Sequence, residues 1–279
     1  MRLARVTKDG KIGLAAKSGA AVTIAYGADF ANLDAHIAAG TLGEAGAKAV
    51  AGEVVDEADL SFLPPVVRPS KIVCLGLNYR DHAEESGMAI PEFPVLFARF
   101  PSSLLGHGAP IILPKVSSQL DWEAELVVVL SKGGKNIAET DALNHVAGYS
   151  LFNDASIRDY QLRTPQWTAG KNFDDTGAFG PWLVTPDELP AGADGLKIEC
   201  RVNGNVMQSS NTGNLIFSVA NTIHLLSSFM TLEAGDMLVM GTPGGVGVAR
   251  SPQIWMRAGD VCEVEIEGVG LLSNPIVAE

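Results

Sequence analysis

Two glutamates one residue apart, Glu123 and Glu125 in Asp121-Trp122-Glu123-Ala124-Glu125, open a stretch of five aliphatic residues, 126–130. Side chains on a strand alternate with period two, so a strand here turns both carboxylates to one face. At a separation of about 5 Å and an effective dielectric near 20, two ionised carboxylates repel by roughly 3 kcal/mol before desolvation is counted. A divalent cation reverses that sign. Asp154, 29 residues beyond Glu125, is the acid that would complete a three-carboxylate set. No His or Cys lies at ligand spacing, and all-oxygen donors select a hard ion, Mg²⁺ or Mn²⁺. Three carboxylates leave coordination positions open for a chelating substrate such as a 2-oxo acid. Each feature also has a plainer reading: the Glu pair as a solvated strand face, Asp154 as a helix N-cap.

Other residues offer chemistry of their own. His82 and Glu85 share a face if their segment is helical. A carboxylate that holds an imidazole raises its basicity and fixes its tautomer, which suits a general base; it is also an ordinary surface arrangement. If the residues after Asp154 are helical, then Asp154, Arg158 and Gln161 converge an acid, a guanidinium and an amide on one face. Lys171, in Thr168-Ala169-Gly170-Lys171, offsets the acids and stabilises an enolate, or is simply solvated. The loop 241–247 offers backbone N–H groups and the Thr242 hydroxyl to an anion, or is a tight turn. It lacks the Lys-Ser/Thr ending of a P-loop.

The elements that must position these groups read mostly as strands: 72–77, 94–100, 109–113, 124–130, 182–185, 236–241, 261–267, and a hairpin of 197–202 with 206–208 turned by Asn203-Gly204. One long apolar-periodic stretch, 215–230, reads as helix. Residues 1 to about 60 suggest a hairpin around Asp9-Gly10, a short helix near 29–39 and a Gly- and Ala-rich connection up to residue 57. Three prolines in 64–69 favour an extended linker. The expectation is an α+β chain, mostly β, with a small N-terminal domain over 1–68 and a mixed β-roll or β-sandwich catalytic domain over 69–279.

Twenty Lys and Arg against 32 Asp and Glu give a formal charge of -12, which disfavours nucleic acid. An acidic body that takes an acidic substrate needs local positive charge, from a metal and a few placed cations. The three cysteines are widely spaced in strand-like segments and read as reduced, buried thiols. The first residues are charged and no long apolar window follows, so the expectation is a cytoplasmic protein without a membrane partner.

In this order the segments resemble the fumarylacetoacetate hydrolase family, particularly its short, acylpyruvase-like members, from about residue 70 onward. The resemblance rests on Gly76-Leu77-Asn78-Tyr79 with His82 and Glu85, on Asp121 through Glu125, on Asp154 through Arg158 to Gln161, on Gly170-Lys171, and on Gly241-Thr242-Pro243 with Gly247. It implies a β-roll catalytic domain, Mg²⁺ or Mn²⁺ on Glu123, Glu125 and Asp154, a His82–Glu85 catalytic dyad, Lys171 as catalytic and substrate lysine, and a homodimer. Longer relatives carry a further acidic ligand where this chain has Leu75, so fumarylacetoacetate itself is not the expected substrate.

The reaction expected is hydrolytic carbon–carbon cleavage of a 2,4-dioxo acid, an acylpyruvate, fumarylpyruvate or sugar-derived diketo acid, to pyruvate and a carboxylic acid. His82, oriented by Glu85, would activate water, and Tyr79, Arg158, Gln161, Lys171 and Thr242 would hold the substrate. Gly87 and Pro91 bracket a polar stretch that reads as a lid. The alternative uses the same enolate without water attack: oxaloacetate decarboxylation, or a keto–enol or double-bond shift of the 2-hydroxyhepta-2,4-diene-1,7-dioate type. A non-catalytic metal-binding protein is the remaining reading.

Overall fold

The computed structural model describes residues 1–27, 30–85 and 89–279, the side chains of His82 and Ala83 excepted. Two sheets dominate. The larger runs, from one edge to the other, through Glu53–Val55, Ala21–Tyr26, Lys11–Ser18, Arg2–Lys8, Gly177–Val184, Val146–Asp154, Ala124–Leu130, Met237–Val239, Ile72–Gly76 and Val95–Arg99. Along this path only Met237–Val239 and Ile72–Gly76 pair in parallel. The smaller sheet runs through Asn205–Asn211, Lys197–Val202, Val261–Ile266, Gly270–Ala278 and Ile111–Leu113. The fold is mostly β with mixed sheets, as expected.

All seven residues of Ala124–Leu130 are buried, which is why this strand reads as a continuous apolar run rather than an alternation. Its two faces serve two cores. Leu126 and Val128 join Tyr149, Leu151 and, from the smaller sheet, Ile198, Cys200 and Val264. Val127 and Val129 join Phe152, Phe179, Ile72, Cys74 and Val239 on the other side. Alternation puts Glu125 on the face of Val127 and Val129, so the acidic pair forms the polar end of an otherwise apolar core. Cys74, Cys200 and Cys262 are free and buried.

The first 68 residues build a meander whose strand Arg2–Lys8 pairs with the body of the sheet, Arg2 opposite Val184 and Leu3 opposite Leu183. Hydrogen bonding therefore continues across the expected boundary near residue 68. The connection up to residue 57 contains a second helix, Leu42–Val50, after Leu33–Ala39. Its Ala- and Gly-rich composition looks like a linker, yet alanine is the best helix former and Ala45 and Ala49 are buried one turn apart.

The segment before Asp154, for which the sequence suggested no element, and the helix expected after it are settled by the sheet. The segment is the strand Val146–Asp154, hydrogen-bonded on both sides, and the helix that follows is confined to Arg158–Gln161. Pairing on both flanks holds this segment extended. The 215–230 helix is realised as Val219–Phe229, capped by the Ser218 side chain on Asn221 N. Among the described residues no helix is long and apolar enough to cross a membrane.

Candidate active site

The antiparallel pairing of Ala124–Leu130 with Val146–Asp154 sets the site. Ala124 lies opposite Asn153 and Glu125 opposite Phe152, and the Asp154 N–H donates to the Glu123 carbonyl at 2.9 Å. Asn153 Oδ1 accepts from the Glu123 N–H at 3.1 Å, fixing the residue just ahead of the strand. Carboxylate oxygens of Glu123, Glu125 and Asp154 consequently lie within 4.8 Å of one another, all three side chains buried. Asp154 reaches this place as the last residue of a strand.

Three buried cations surround the acids. Lys171 Nζ donates to Glu123 Oε2 and to Asp154 Oδ2, both at 2.6 Å. Arg99, which is 2% exposed, pairs through Nη1 with Asp154 Oδ1 and donates through Nη2 to Thr176 Oγ1 at 2.7 Å. Arg158 Nε donates to Asp121 Oδ2 at 2.8 Å, and its Nη2 stands 2.7 Å from Glu123 Oε1 in an ion pair poorly aligned for a hydrogen bond. Gly170 lets the short helices Arg158–Gln161 and Thr168–Lys171 meet: a Cβ there would lie 2.3 Å from the Gln161 nitrogen.

The electrostatics follow from these contacts. Burial alone would raise the Asp154 carboxyl, but Lys171 and Arg99 outweigh it and hold Asp154 below its ordinary value. Burial opposes the Lys171 charge, yet Asp154 and Glu123 keep the ammonium above its ordinary range. Glu125 goes the other way: burial, then Asp154 and Glu123, push its carboxyl well above the usual range, and the Gly241 N–H is its hydrogen-bond donor. Four carboxylates, with Asp121 included, face three cations that pair with Asp121, Glu123 and Asp154, and Glu125 is the acid whose ionisation is opposed. The donor set and its charge fit a hard divalent ion, so the buried Glu-Glu-Asp cluster is able to bind one.

Above the acids lies a cleft of about 200 Å³. Glu123, Glu125, Lys171, Arg158, Gln161 and Thr242 form its polar lining, while Leu75, Phe97 and Trp167 contribute to its apolar walls.

A family model described as Fumarylacetoacetate (FAA) hydrolase C-terminal matches residues 71–277. The chain belongs to the fumarylacetoacetate hydrolase family. Among its similar relatives is the human protein named oxaloacetate tautomerase FAHD2A, mitochondrial, 44% identical over 226 residues that cover 80% of this chain and 72% of the relative. The solved structure of fumarylacetoacetate hydrolase from psychrophilic Exiguobacterium antarcticum superposes with a TM-score of 0.90 at 33% identity, covering 100% of both chains. That of 2-hydroxyhepta-2,4-diene-1,7-dioate isomerase from Mycobacterium marinum has a TM-score of 0.78 at 30% identity, covering 100% of this chain and 99% of the other.

For this fumarylacetoacetate hydrolase family member, the sequence-predicted residues fall into groups. Glu123, Glu125, Asp154, Arg158, Gln161, Lys171 and Thr242 come together as described. Thr242 Oγ1 donates to the Ala124 carbonyl at 3.0 Å and accepts from Gln208 Nε2 at 2.8 Å, so its proton is already committed within the protein. Tyr79 is fully buried outside the cleft lining, and its hydroxyl has no hydrogen-bond partner among the described residues. Glu85 ends the helix Arg80–Glu85 and accepts from the Gly245 N–H at 2.9 Å, one residue from the cleft-lining Val246. The His82 side chain, and Gly87 in the expected lid, lie outside the described residues.

The loop 241–247 differs from its reading as an anion cradle. Its N–H groups are aimed at the protein's own carboxylates: Gly241 to Glu125, Gly245 to Glu85, Gly247 to Asp121. Three internal acids satisfy these donors. Two residues behind the site carried no predicted role, Arg99 and Asp121. Asp121 stood in the acidic motif, but its partners lie far along the chain. Arg99 had only one signal, a charge closing the apolar strand Val95–Arg99.

Proposed function

We propose that this protein moves a proton between the keto and enol forms of a small 2-oxo dicarboxylic acid, oxaloacetate being the first substrate to test. The observation that carries the reading is the Lys171 ammonium, fixed between two buried carboxylates at the floor of a cleft of about 200 Å³. Pockets for drug-sized ligands occupy about 300–1,000 Å³, so this one suits a short acid better than a long acyl chain. A close relative that bears the name oxaloacetate tautomerase, and a structural neighbour that bears the name of an isomerase, support the same class.

Glu123, Glu125 and Asp154 would hold Mg²⁺ or Mn²⁺, which when bound supplies Lewis-acid polarisation of the 2-oxo group. The rest is done by the chain. Lys171 donates hydrogen bonds through two of its three N–H groups to Glu123 and Asp154, leaving the third for the substrate oxygen on which negative charge develops. Gln161 and Arg158 orient a carboxylate on the adjoining wall. The C3–H bond breaks with its proton passing to cleft water, its electron pair forms the C2–C3 double bond, and a proton arrives on the C2 oxygen, giving the enol with every carbon–carbon bond intact.

Hydrolytic cleavage of an acylpyruvate is the second reading, favoured by the anchoring of Glu85 on the Gly245 N–H, which holds the dyad helix at the rim. A homodimer and a catalytic unit over 69–279 belong to either reading. The test follows loss of enol absorbance from oxaloacetate with Mg²⁺, while pyruvate and carbon dioxide are measured separately. Lys171→Met should lower kcat/KM for tautomerisation by about 100-fold or more. His82→Ala should spare it. Pyruvate release from acylpyruvates that exceeds enol exchange and vanishes in His82→Ala would replace this proposal by the hydrolytic one.

A further inference from the structure

We infer that Asp121 is a positioning residue which, acting through Arg158, fixes the Gln161 amide as a donor-only edge of the cleft, so that the site selects a ligand presenting an oxygen acceptor there. The inference rests on the reading of this cleft as a substrate site and names what its wall recognises.

Asp121 is fully buried. Its Oδ1 accepts from Gly247 N at 2.7 Å and Trp122 N at 2.9 Å; its Oδ2 accepts from Arg158 Nε at 2.8 Å and Val248 N at 2.9 Å. A carboxylate offers about four acceptor positions, and here each is taken. The approach of the loop depends on Gly247, where a Cβ would lie 2.7 Å from Asp121 Oδ1 and 2.0 Å from the Ile254 carbonyl. One side chain therefore ties the strand Leu120–Asp121, the loop after Gly241 and the helix Arg158–Gln161 into one body.

The guanidinium transmits this. Arg158 is planar, gripped at Nε by Asp121 and placed at Nη2 against Glu123, so the direction of Nη1 is set. Nη1 donates to Gln161 Oε1 at 2.8 Å. Arginine has only donors, so the amide must turn its oxygen to it, and its NH₂ is left on the other side. That group donates to no described residue, and Gln161 lines the cleft. A substrate carboxylate or keto oxygen meets it favourably; a hydrogen-bond donor does not. Without Asp121, Arg158 loses its anchor and the amide is free to present either end.

The test uses oxalate, a small acceptor-rich anion, titrated calorimetrically into Mg²⁺-loaded protein, with D121N, Q161L and the double variant. Q161L should weaken oxalate about tenfold, D121N by a similar factor, and the double variant by no more than about threefold beyond Q161L, because both changes remove the same contact. Multiplicative losses, or no oxalate binding by the unaltered protein, overturn the inference. Should D121N fail to fold, R158K replaces it: a lysine keeps the charge but cannot span from Asp121 to Gln161, and its loss should likewise vanish in the Q161L background. Oxalate binding does not need turnover. Absent oxaloacetate chemistry with the masking intact would sink the tautomerase proposal alone, whereas intact chemistry with independent losses would sink this one.

Discussion

A pair of glutamates at the same spacing as Glu123 and Glu125 lies in the smaller sheet and meets the opposite outcome. Glu263 and Glu265 lie in Val261–Ile266 on the open side of the smaller sheet, their side chains 26% and 48% exposed. Arg201 answers both, Nε to Glu263 at 3.2 Å and Nη1 to Glu265 at 2.7 Å. Water and one guanidinium suffice there. Glu123 and Glu125 meet at the polar end of a core, beside a third carboxylate, with three cations locked into the same buried volume. Spacing alone does not make a cation site; a third acid brought in by the neighbouring strand, and the exclusion of water, do.

The sharpest way to break this contrast is to remove one buried acid. Glu123→Gln should abolish binding of Mn²⁺ and lower the metal-dependent kcat/KM by about 1,000-fold or more, because the ligand set loses a charge and Lys171 loses a partner. Titration by electron paramagnetic resonance reads the metal, and a variant still binding one Mn²⁺ per chain would remove Glu123 from the set.

Glu125 gives a subtler test with a sign of its own. Burial and its two acidic neighbours raise its carboxyl in the folded, metal-free protein, so between the ordinary carboxylate range and that raised value the folded chain binds more protons than the unfolded one. Metal-free stability should therefore fall as pH rises through this window. Glu125→Gln should flatten that part of the pH profile and raise the metal-free melting temperature near neutral pH, while weakening Mn²⁺ by about 100-fold. A melting temperature that drops, with the pH slope unchanged, would show that the extra proton of the folded chain is held elsewhere.

These differences explain what the sequence disclosed. The two glutamates stood out because carboxylates among aliphatics are costly and local, Asp154, Arg158 and Gln161 through their shared spacing, and Lys171 through the family resemblance. Of the strands around them, Ala124–Leu130 and Ile72–Gly76 were legible from apolar runs. Asp154 was expected on or before a helix, since nothing within residues 145–154 announces that two ladders will claim them. The roles of Arg99 and Asp121 were invisible for a related reason: their partners are Asp154 and Thr176 for one, Gly247 and Val248 for the other, brought near only by the sheet. The same distance hides the fate of the 241–247 loop, whose N–H groups look free until the acids that take them are in place.

The smallest expected effect belongs to the exposed pair and tests the contrast from its other side. In Glu265→Gln the neutral amide still reaches Arg201, which retains Glu263 at 3.2 Å and Glu199 at 3.5 Å. What is lost is one partly solvated Coulomb interaction, offset by the freedom returned to a long side chain. Urea unfolding should place the change within about 0.5 kcal/mol, and about 0.5 M salt should erase it, because exposed pairs are weak and screened. Mn²⁺ affinity should be untouched. A cost of several kcal/mol that survives salt would mean that the surface pair is held as firmly as the buried one, and burial would cease to be what separates them.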